Sequence, residues 1–135
     1  MIVLDTHVWI WLINGSPEIK PKDRTWLSHK ASSGSILIPA ISLWEISMLA
    51  SQGKILTTKP ILEWTNEALT APSISLAPLT PEIAIESCYL PGTFHGDPAD
   101  RLIVATARIE KSILVTRDQQ ILNYGLAGNV NIHAV

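Results

Sequence analysis

Short apolar runs of strand length alternate along this chain with longer segments that carry the apolar spacing of helices. The runs cover Ile2–Leu4, Ser35–Ile38, Ile74–Ala77, Ile113–Thr116 and Val130–His133. They read as largely unbroken apolar stretches, which is typical of strands covered on both faces. Strands of this kind, separated by helices, form parallel sheets between two helical layers. The alternation therefore predicts an α/β fold, a single α/β/α sandwich.

Helical segments fill the intervals between the runs. Their predicted bounds are Thr6–Asn14, Lys22–Ser33, Ser42–Gln52, Pro60–Ala71, Pro81–Leu90 and Pro98–Lys111, with a short helix from Asp118 through Asn123. Proline opens several of these segments and glycine follows several, as is usual at helix ends. Two helices fall between the second and third runs, so we expect an inserted helical pair. The chain length fits one core, and we expect one domain over residues 1–135.

Composition excludes several classes of protein. An apolar fraction of 47% with 16% charged residues describes a compact globular chain, outside the disordered regime. The net charge of −2 predicts no broad basic surface. Cys88 is the single cysteine, so no internal disulfide can form, and we expect its thiol to pack within a helix. No apolar run approaches the roughly 20 residues of a membrane span, and no signal peptide is evident, so we expect a cytoplasmic protein.

Four acidic side chains lie where an apolar run gives way to a predicted helix: Asp5, Glu45, Asp100 and Asp118. The carboxyl ends of parallel strands and the starts of the following helices meet in one crevice of such a fold. Acids from four distant segments would therefore share a pocket. Like charges about 4 Å apart repel by roughly 4 kcal/mol at an effective dielectric near 20. Such a cluster must be partly protonated or hold cations, and we expect divalent cations.

Helix capping explains each acid separately. Asp5, Asp97 and Asp118 fit N-cap positions at the starts of helices. Ser42 and Glu45 fit a capping box. Capping, however, gives no reason for all these acids to lie at one end of one sheet. Two divalent ions about 4 Å apart would clamp a phosphodiester and activate a water for attack, so the shared pocket predicts metal-dependent phosphodiester chemistry.

Four sequence blocks carry a family resemblance: Val3–Trp9, Ser42–Ile46, His95–Ala107 and Leu114–Asp118. In this order and spacing they resemble the PIN-domain nucleases, and most of all the VapC toxins of bacterial toxin–antitoxin pairs. The resemblance implies a PIN-like parallel sheet of about five strands in the order 3-2-1-4-5, with the acids in a central groove. The blocks span nearly the whole chain, so the resemblance covers the predicted domain.

The resemblance also implies an activity and its partners. It implies a Mg²⁺- or Mn²⁺-dependent endoribonuclease that cleaves structured RNA such as tRNA or rRNA. It further implies a homodimer, held inactive by a VapB-like antitoxin whose C-terminal segment fills the groove. Thr116 matches the hydroxyl residue that precedes the last acid and orients it. By motif position the catalytic acids are Asp5, Glu45, Asp100 and Asp118, and the metal ligands are these four together with Asp97.

Cleavage by a metal-activated water, without a 2′-hydroxyl nucleophile, would leave a 5′-phosphate and a 3′-hydroxyl. Around the acids, we expect Arg101 and Arg117 to brace their acidic neighbours by salt bridges. Trp9 and Trp11 lie two residues apart on one helix, so at least one should lie near the surface. Trp44 is expected to pack against the sheet.

Three other functions remain open at this point. A receiver-like phosphoacceptor domain needs paired acids after its first strand and a lysine after its last. Here Thr6 and His7 follow Asp5, and only Ala134 and Val135 follow the last predicted strand, which argues against that class. The second alternative is a PIN-like scaffold that binds RNA or protein without cutting. The third is an RNA-processing nuclease that has no antitoxin.

Overall fold

Five parallel strands form one sheet in the computed structural model, which describes residues 1–135. The strands are β1 (Ile2–Leu4), β2 (Ile36–Pro39), β3 (Ile74–Ala77), β4 (Ile113–Thr116) and β5 (Ile132–Ala134). Their order is β3-β2-β1-β4-β5, and every neighbouring pair is parallel. The predicted fold class and strand order are confirmed. The last strand begins two residues later than predicted. Val130 is buried in the core, but the pairing with β4 begins only at Ile132.

Seven helices cover the sheet, and two of them form the predicted inserted pair between β2 and β3. No helix is both long and apolar enough to cross a membrane. The helices are α1 (Thr6–Ile13), α2 (Pro21–Ser33), α3 (Ile41–Ser51), α4 (Ile61–Leu69), α5 (Pro81–Cys88), α6 (Pro98–Ile109) and α7 (Gln119–Leu126).

The core lies on both faces of the sheet, and neighbouring residues of β1 divide between the two sides. Ile2 and Leu4 pack in one apolar cluster, with Trp9 of α1 and Trp64 of α4. Val3 packs in the other cluster, which contains most of the buried side chains of α6. A strand buried on both faces has no position at which a polar side chain is favoured. This two-sided burial is the physical reason for the unbroken apolar runs.

The strand pairing brings the starts of several helices to one edge of the sheet. β1 lies between β2 and β4, and the amide of Asp5 donates to the carbonyl of Val115 at 3.0 Å. The loop after each strand therefore emerges at the carboxyl edge, as in other open α/β sheets. This edge carries the first residues of α1, α3 and α7.

Two side-chain predictions are wrong, and both concern helix faces. Trp44 is 57% exposed, because Ser42 and Ile46 occupy the buried face of α3. Cys88 is also exposed, since Ile83 and Ser87 fill the buried face of α5. In each case the apolar character of the side chain suggested burial, whereas its rotational position on the helix places it outside.

Candidate active site

One pocket of about 380 Å³ contains every acid that the sequence analysis selected. Its other lining residues are His7, Val8, Trp11 and Arg117. The five acids come from the ends of β1 and β4, from the second turn of α3 and from the start of α6, so residues remote in the chain meet at the carboxyl edge of the sheet. They are Asp5, Glu45, Asp97, Asp100 and Asp118.

Three of these acids also cap helices, as the capping interpretation predicts. Asp5 Oδ1 accepts a hydrogen bond from the amide of Thr6 at 2.7 Å. Asp97 Oδ1 accepts from the amide of Asp100 at 2.8 Å. Asp118 Oδ1 accepts from the amide of Ile121 at 3.0 Å. Capping and convergence therefore occur together, because the helices that the acids cap begin around the same pocket.

The buried hydroxyl of Thr116 links the acids that follow β1 and β4. It donates to Asp5 Oδ2 at 2.7 Å and accepts from the amide of Asp118 at 3.0 Å. Both oxygens of Asp5 are thus held, one by the helix start and one by β4. The resemblance led us to expect that Thr116 orients Asp118; it contacts the backbone of that residue and the carboxylate of Asp5.

The hydroxyl of Thr6, which is hydrogen-bonded to that of Ser42, holds Glu45. Thr6 Oγ1 donates to Glu45 Oε1 at 2.6 Å and lies 2.8 Å from Ser42 Oγ. Since the single hydroxyl proton of Thr6 goes to Glu45, Ser42 is the donor to Thr6. The predicted capping box is wrong because α3 begins one residue earlier, at Ile41, with Ala40 as its N-cap and no side-chain cap. Sequence reasoning missed these two hydroxyls as site residues, although both lie in the motif blocks.

Three carboxyl groups of the pocket have a raised pKa, and burial is the largest cause in each. Burial, followed by the charges of Asp97, Asp118, Asp5 and Glu45, raises the pKa of Asp100 from 3.8 to about 7. Burial also raises the pKa of Asp5, although the hydrogen bond from Thr116 opposes the shift. Glu45 shows the same direction: burial raises its pKa and the Thr6 hydroxyl lowers it. Without added positive charge the pocket favours retaining a proton at neutral pH.

Arg117 and Trp11 form the one wall of the pocket that carries a permanent positive charge. The guanidinium carbon of Arg117 lies 4.4 Å from the centroid of the Trp11 ring, which is cation–π distance. The guanidinium also forms a salt bridge with Glu18 and donates to the carbonyl of Val135 at 3.0 Å. The prediction that Arg117 forms a salt bridge with an acid of the site is wrong, because its guanidinium pairs with Glu18 instead.

Arg101 does not brace a site acid either. Its guanidinium donates to the carbonyl of Ser87 at 2.8 Å and to that of Phe94 at 2.9 Å. It therefore ties the loop before α6 to the end of α5. Trp9 and Trp11 divide as expected: Trp9 is fully buried, while Trp11 is partly exposed in the pocket wall.

The donor set of the pocket fits a hard divalent cation. Five carboxylates supply oxygen ligands and concentrated negative charge, which is what Mg²⁺ and Mn²⁺ prefer over nitrogen or sulfur. No three His, Cys, Asp or Glu side chains stand close enough together to surround one ion by themselves. Mg²⁺ commonly keeps several waters and takes only one or two carboxylates directly, so this arrangement suits it.

Comparison with known proteins places this geometry in a family. The PIN-domain profile matches residues 2–126. The chain is 32% identical over 123 residues to "Ribonuclease VapC22" of Mycobacterium tuberculosis, a match that covers 91% of each protein.

Solved structures share the fold at lower sequence identity. VapBC2 from Rickettsia felis, solved with a promoter DNA fragment, matches 99% of this chain and 98% of its own with a TM-score of 0.71 at 20% identity. FitAcB from Neisseria gonorrhoeae matches 98% of this chain and 96% of its own with a TM-score of 0.66, also at 20% identity.

Proposed function

This chain belongs to the PIN-domain family, and from that premise we propose that it is a metal-dependent endoribonuclease, the toxin of a toxin–antitoxin pair. The single observation that carries the proposal is the pocket in which five carboxylates from distant segments converge. The 32% identity to a protein named a ribonuclease supports RNA as the substrate. We place the whole activity in one domain over residues 1–135 of a cytoplasmic protein, acting on structured RNA such as tRNA or rRNA.

Mg²⁺ or Mn²⁺ would be held by the five acids, some of them through water. When bound, the ion lowers the pKa of a coordinated water and offsets the charge that gathers on the phosphate. The catalytic acids in this proposal are Asp5, Glu45, Asp100 and Asp118, with Asp97 as an additional ligand.

The hydroxyls and the acids of the chain have distinct tasks in the cleavage step. Thr116 and the Thr6 amide fix the orientation of Asp5. The Thr6 hydroxyl fixes Glu45 through Oε1, which leaves Oε2 to accept the proton of the attacking water. The bond from that water oxygen to phosphorus forms while the bond from phosphorus to the ribose O3′ breaks. O3′ takes up a proton from solvent water, so the products are a 3′-hydroxyl and a 5′-phosphate.

A VapB-like antitoxin and a second copy of the chain are the proposed protein partners. The neighbour solved as VapBC2 supports the first of these. The surface of this chain also leaves large apolar side chains uncovered, among them Trp44, Leu62 and Tyr89. Where such side chains form a contiguous patch, they mark a surface that another protein covers.

Asp5→Asn tests the proposal directly. The variant keeps the size of the side chain and its cap, but removes a charge that the proposed ion requires. We expect cleavage of total RNA with Mg²⁺ to fall by at least about 100-fold, with stability unchanged or increased because carboxylate repulsion falls. Glu82→Gln is the control, since it removes an exposed acid outside the pocket. Equal cleavage by Asp5→Asn and the parent would refute the site assignment.

The same assay separates the competing functions. A parent protein that binds RNA but does not cut it with Mg²⁺ or Mn²⁺ would be a scaffold and would overturn the nuclease. A nuclease whose induction leaves growth unaffected, with or without a co-expressed antitoxin, would be an RNA-processing enzyme and not a toxin.

A further inference from the structure

A second pocket, of about 370 Å³, lies between α7 and the loop that leads into α6. We call it the amide pocket, because three of its lining residues carry side-chain amides. The residues used below are Phe94, His95, Gln120, Asn123, Tyr124 and Asn129. None of them belongs to the acid pocket, and the proposed chemistry of that pocket does not use them.

The amide pocket and the acid pocket have lining residues that are near each other along the chain at two points. His95 lies two residues before Asp97, and Gln120 lies two residues after Asp118, so each is within about 7 Å along the backbone. Gln120 has Asn123 and Tyr124 at three and four residues' spacing on α7, which places them on neighbouring parts of the helix surface, in the helix that Asp118 caps.

Gly96 lies between Phe94, which lines the amide pocket, and Asp100, which lines the acid pocket. A Cβ on this glycine would lie 2.4 Å from the Phe94 ring and 2.9 Å from Cβ of Asp100. The aromatic side of the amide pocket and an acid of the neighbouring pocket thus meet across one residue without a side chain. The two pockets therefore have lining residues on either side of Gly96.

The lining chemistry of the amide pocket selects a neutral planar ligand. No Lys, Arg, Asp or Glu lines it, so neither a phosphate nor a metal ion finds a permanent countercharge there. The Phe94 and Tyr124 rings, with centroids 5.0 Å apart, form a buried apolar floor. Gln119 Nε2 donates to Asn123 Oδ1 at 2.8 Å, which orients the Asn123 amide and leaves its Nδ2 as a donor.

We propose that the amide pocket receives one unpaired nucleobase of the RNA, next to the phosphodiester that is cut, and that Gln120 and Asn123 set the base preference there. The inference rests on the proposed nuclease function. Side-chain amides read base edges through paired donor and acceptor groups. Sequence-specific recognition of RNA targets unstacked bases in loops and single strands. The volume lies within the range of pockets that enclose small organic ligands.

A randomised RNA library with Mg²⁺ tests the proposal. We expect the parent to prefer one base by at least about fivefold at a single position beside the cut. Asn123→Ala and Gln120→Ala should reduce that preference to within about twofold and leave the other positions unchanged. Asn66→Ala, which removes an exposed amide on α4, is the matched control and should keep the parental profile. A parent without any preference near the cut, or unchanged profiles in both variants, would overturn the base site.

Binding to the inactive Asp5→Asn protein gives a second readout that does not need cleavage. Short single-stranded RNA should shift the side-chain amide NMR signals of Asn123 and Gln120 and leave that of Asn66 unmoved. If the parent shows no metal-dependent cleavage, the proposed nuclease function is refuted. If only these NMR shifts are absent, the base site alone is refuted. If Asn123→Ala weakens antitoxin binding and retains the base profile, the pocket is a protein-docking site and the inference is wrong.

Discussion

At the scale of single residues, three acids of the site cap helices with the same carboxyl group that lines the pocket. Asp97 and Asp118 each commit Oδ1 to a backbone amide, and Glu45 commits Oε1 to the Thr6 hydroxyl. One oxygen of each is therefore fixed by the fold, while the other remains for a ligand or water. A carboxylate anchored in this way loses less conformational entropy on binding, so capping contributes to the site.

Asp100→Asn should remove a pH dependence from the stability of the metal-free protein. Since its pKa is raised from 3.8 to about 7, folding favours the protonated form. The stabilisation is complete below the unfolded pKa and is lost as the pH rises through the folded one. With a chelator present, the parent should therefore unfold more easily at about pH 8 than at about pH 5. Urea unfolding across this range measures the slope.

The asparagine variant should show a flatter profile than the parent, and its advantage in stability should grow toward alkaline pH. Glu82→Gln, outside the pocket, should retain the parental slope. Parallel profiles for Asp100→Asn and the parent would contradict this prediction, because the ionisation of Asp100 would then contribute nothing to the pH dependence.

Thr116→Val should impair both the fold and the site, whereas Thr116→Ser should largely preserve them. Valine keeps the shape but leaves Asp5 Oδ2 and the amide of Asp118 without the hydroxyl that joins them. We expect a loss of roughly 1–3 kcal/mol in unfolding free energy and a fall of about 10- to 100-fold in cleavage rate. Unfolding curves and initial rates at matched Mg²⁺ measure these effects. Equal rates for the two variants would refute the positioning role.

At the scale of elements, the start of α6 depends on close approach at Gly96. In Gly96→Ala the new methyl would overlap the Phe94 ring and press on Asp100. We expect destabilisation of about 1–3 kcal/mol from this overpacking, together with loss of cleavage as Asp100 moves. Gly34→Ala is the control: its Cβ would meet only ordinary contacts at 3.7 and 3.9 Å, and its backbone is extended. Parental activity in Gly96→Ala would show that α6 tolerates the shift.

Sequence periodicity predicts the elements well because burial on both faces leaves a direct mark. The bounds of the central strands β1 and β4, which are almost entirely buried, agree with the apolar runs. Those of the edge strand β3 also agree, although Ser75 and Leu76 are exposed. The partners of polar side chains leave no such mark. Arg101 hydrogen-bonds carbonyls of α5 and its following loop, and Ser42 meets Thr6 across two helices. Those contacts depend on how elements pack, which local patterns of charge and polarity do not encode.

At the scale of the whole molecule, the site exists because the strand order brings remote segments together. Thr116 and Asp5 are hydrogen-bonded although 111 positions separate them, since β4 pairs directly with β1. The alternation of elements indicated a parallel sheet, while the strand order followed from the family resemblance. The contact between Arg117 and Trp11 could not be predicted from the sequence, because it depends on the residue after β4 lying over α1 in the folded chain.

The distribution of charge across the molecule predicts that the proposed divalent ion stabilises the folded chain in addition to its role in cleavage. Five of the 12 acidic residues line one pocket, so the other seven oppose ten Lys and Arg elsewhere on the chain. An ion that binds only the folded pocket stabilises it by RT ln(1 + [L]/Kd), about 2.7 kcal/mol at 100 times Kd. For a domain of this size the expected rise in Tm is on the order of 10 °C.

Thermal unfolding with Mn²⁺ or Mg²⁺, against KCl at matched ionic strength, measures this linkage. The parent should gain Tm with the divalent salt and little with KCl, because screening alone affects exposed charges. Asp5→Asn should start at an equal or higher Tm in chelator and gain much less on adding the ion, since its pocket carries less charge. If neither divalent ion changes the Tm of the parent, or if Asp5→Asn gains as much Tm as the parent, the carboxylates do not form a metal site.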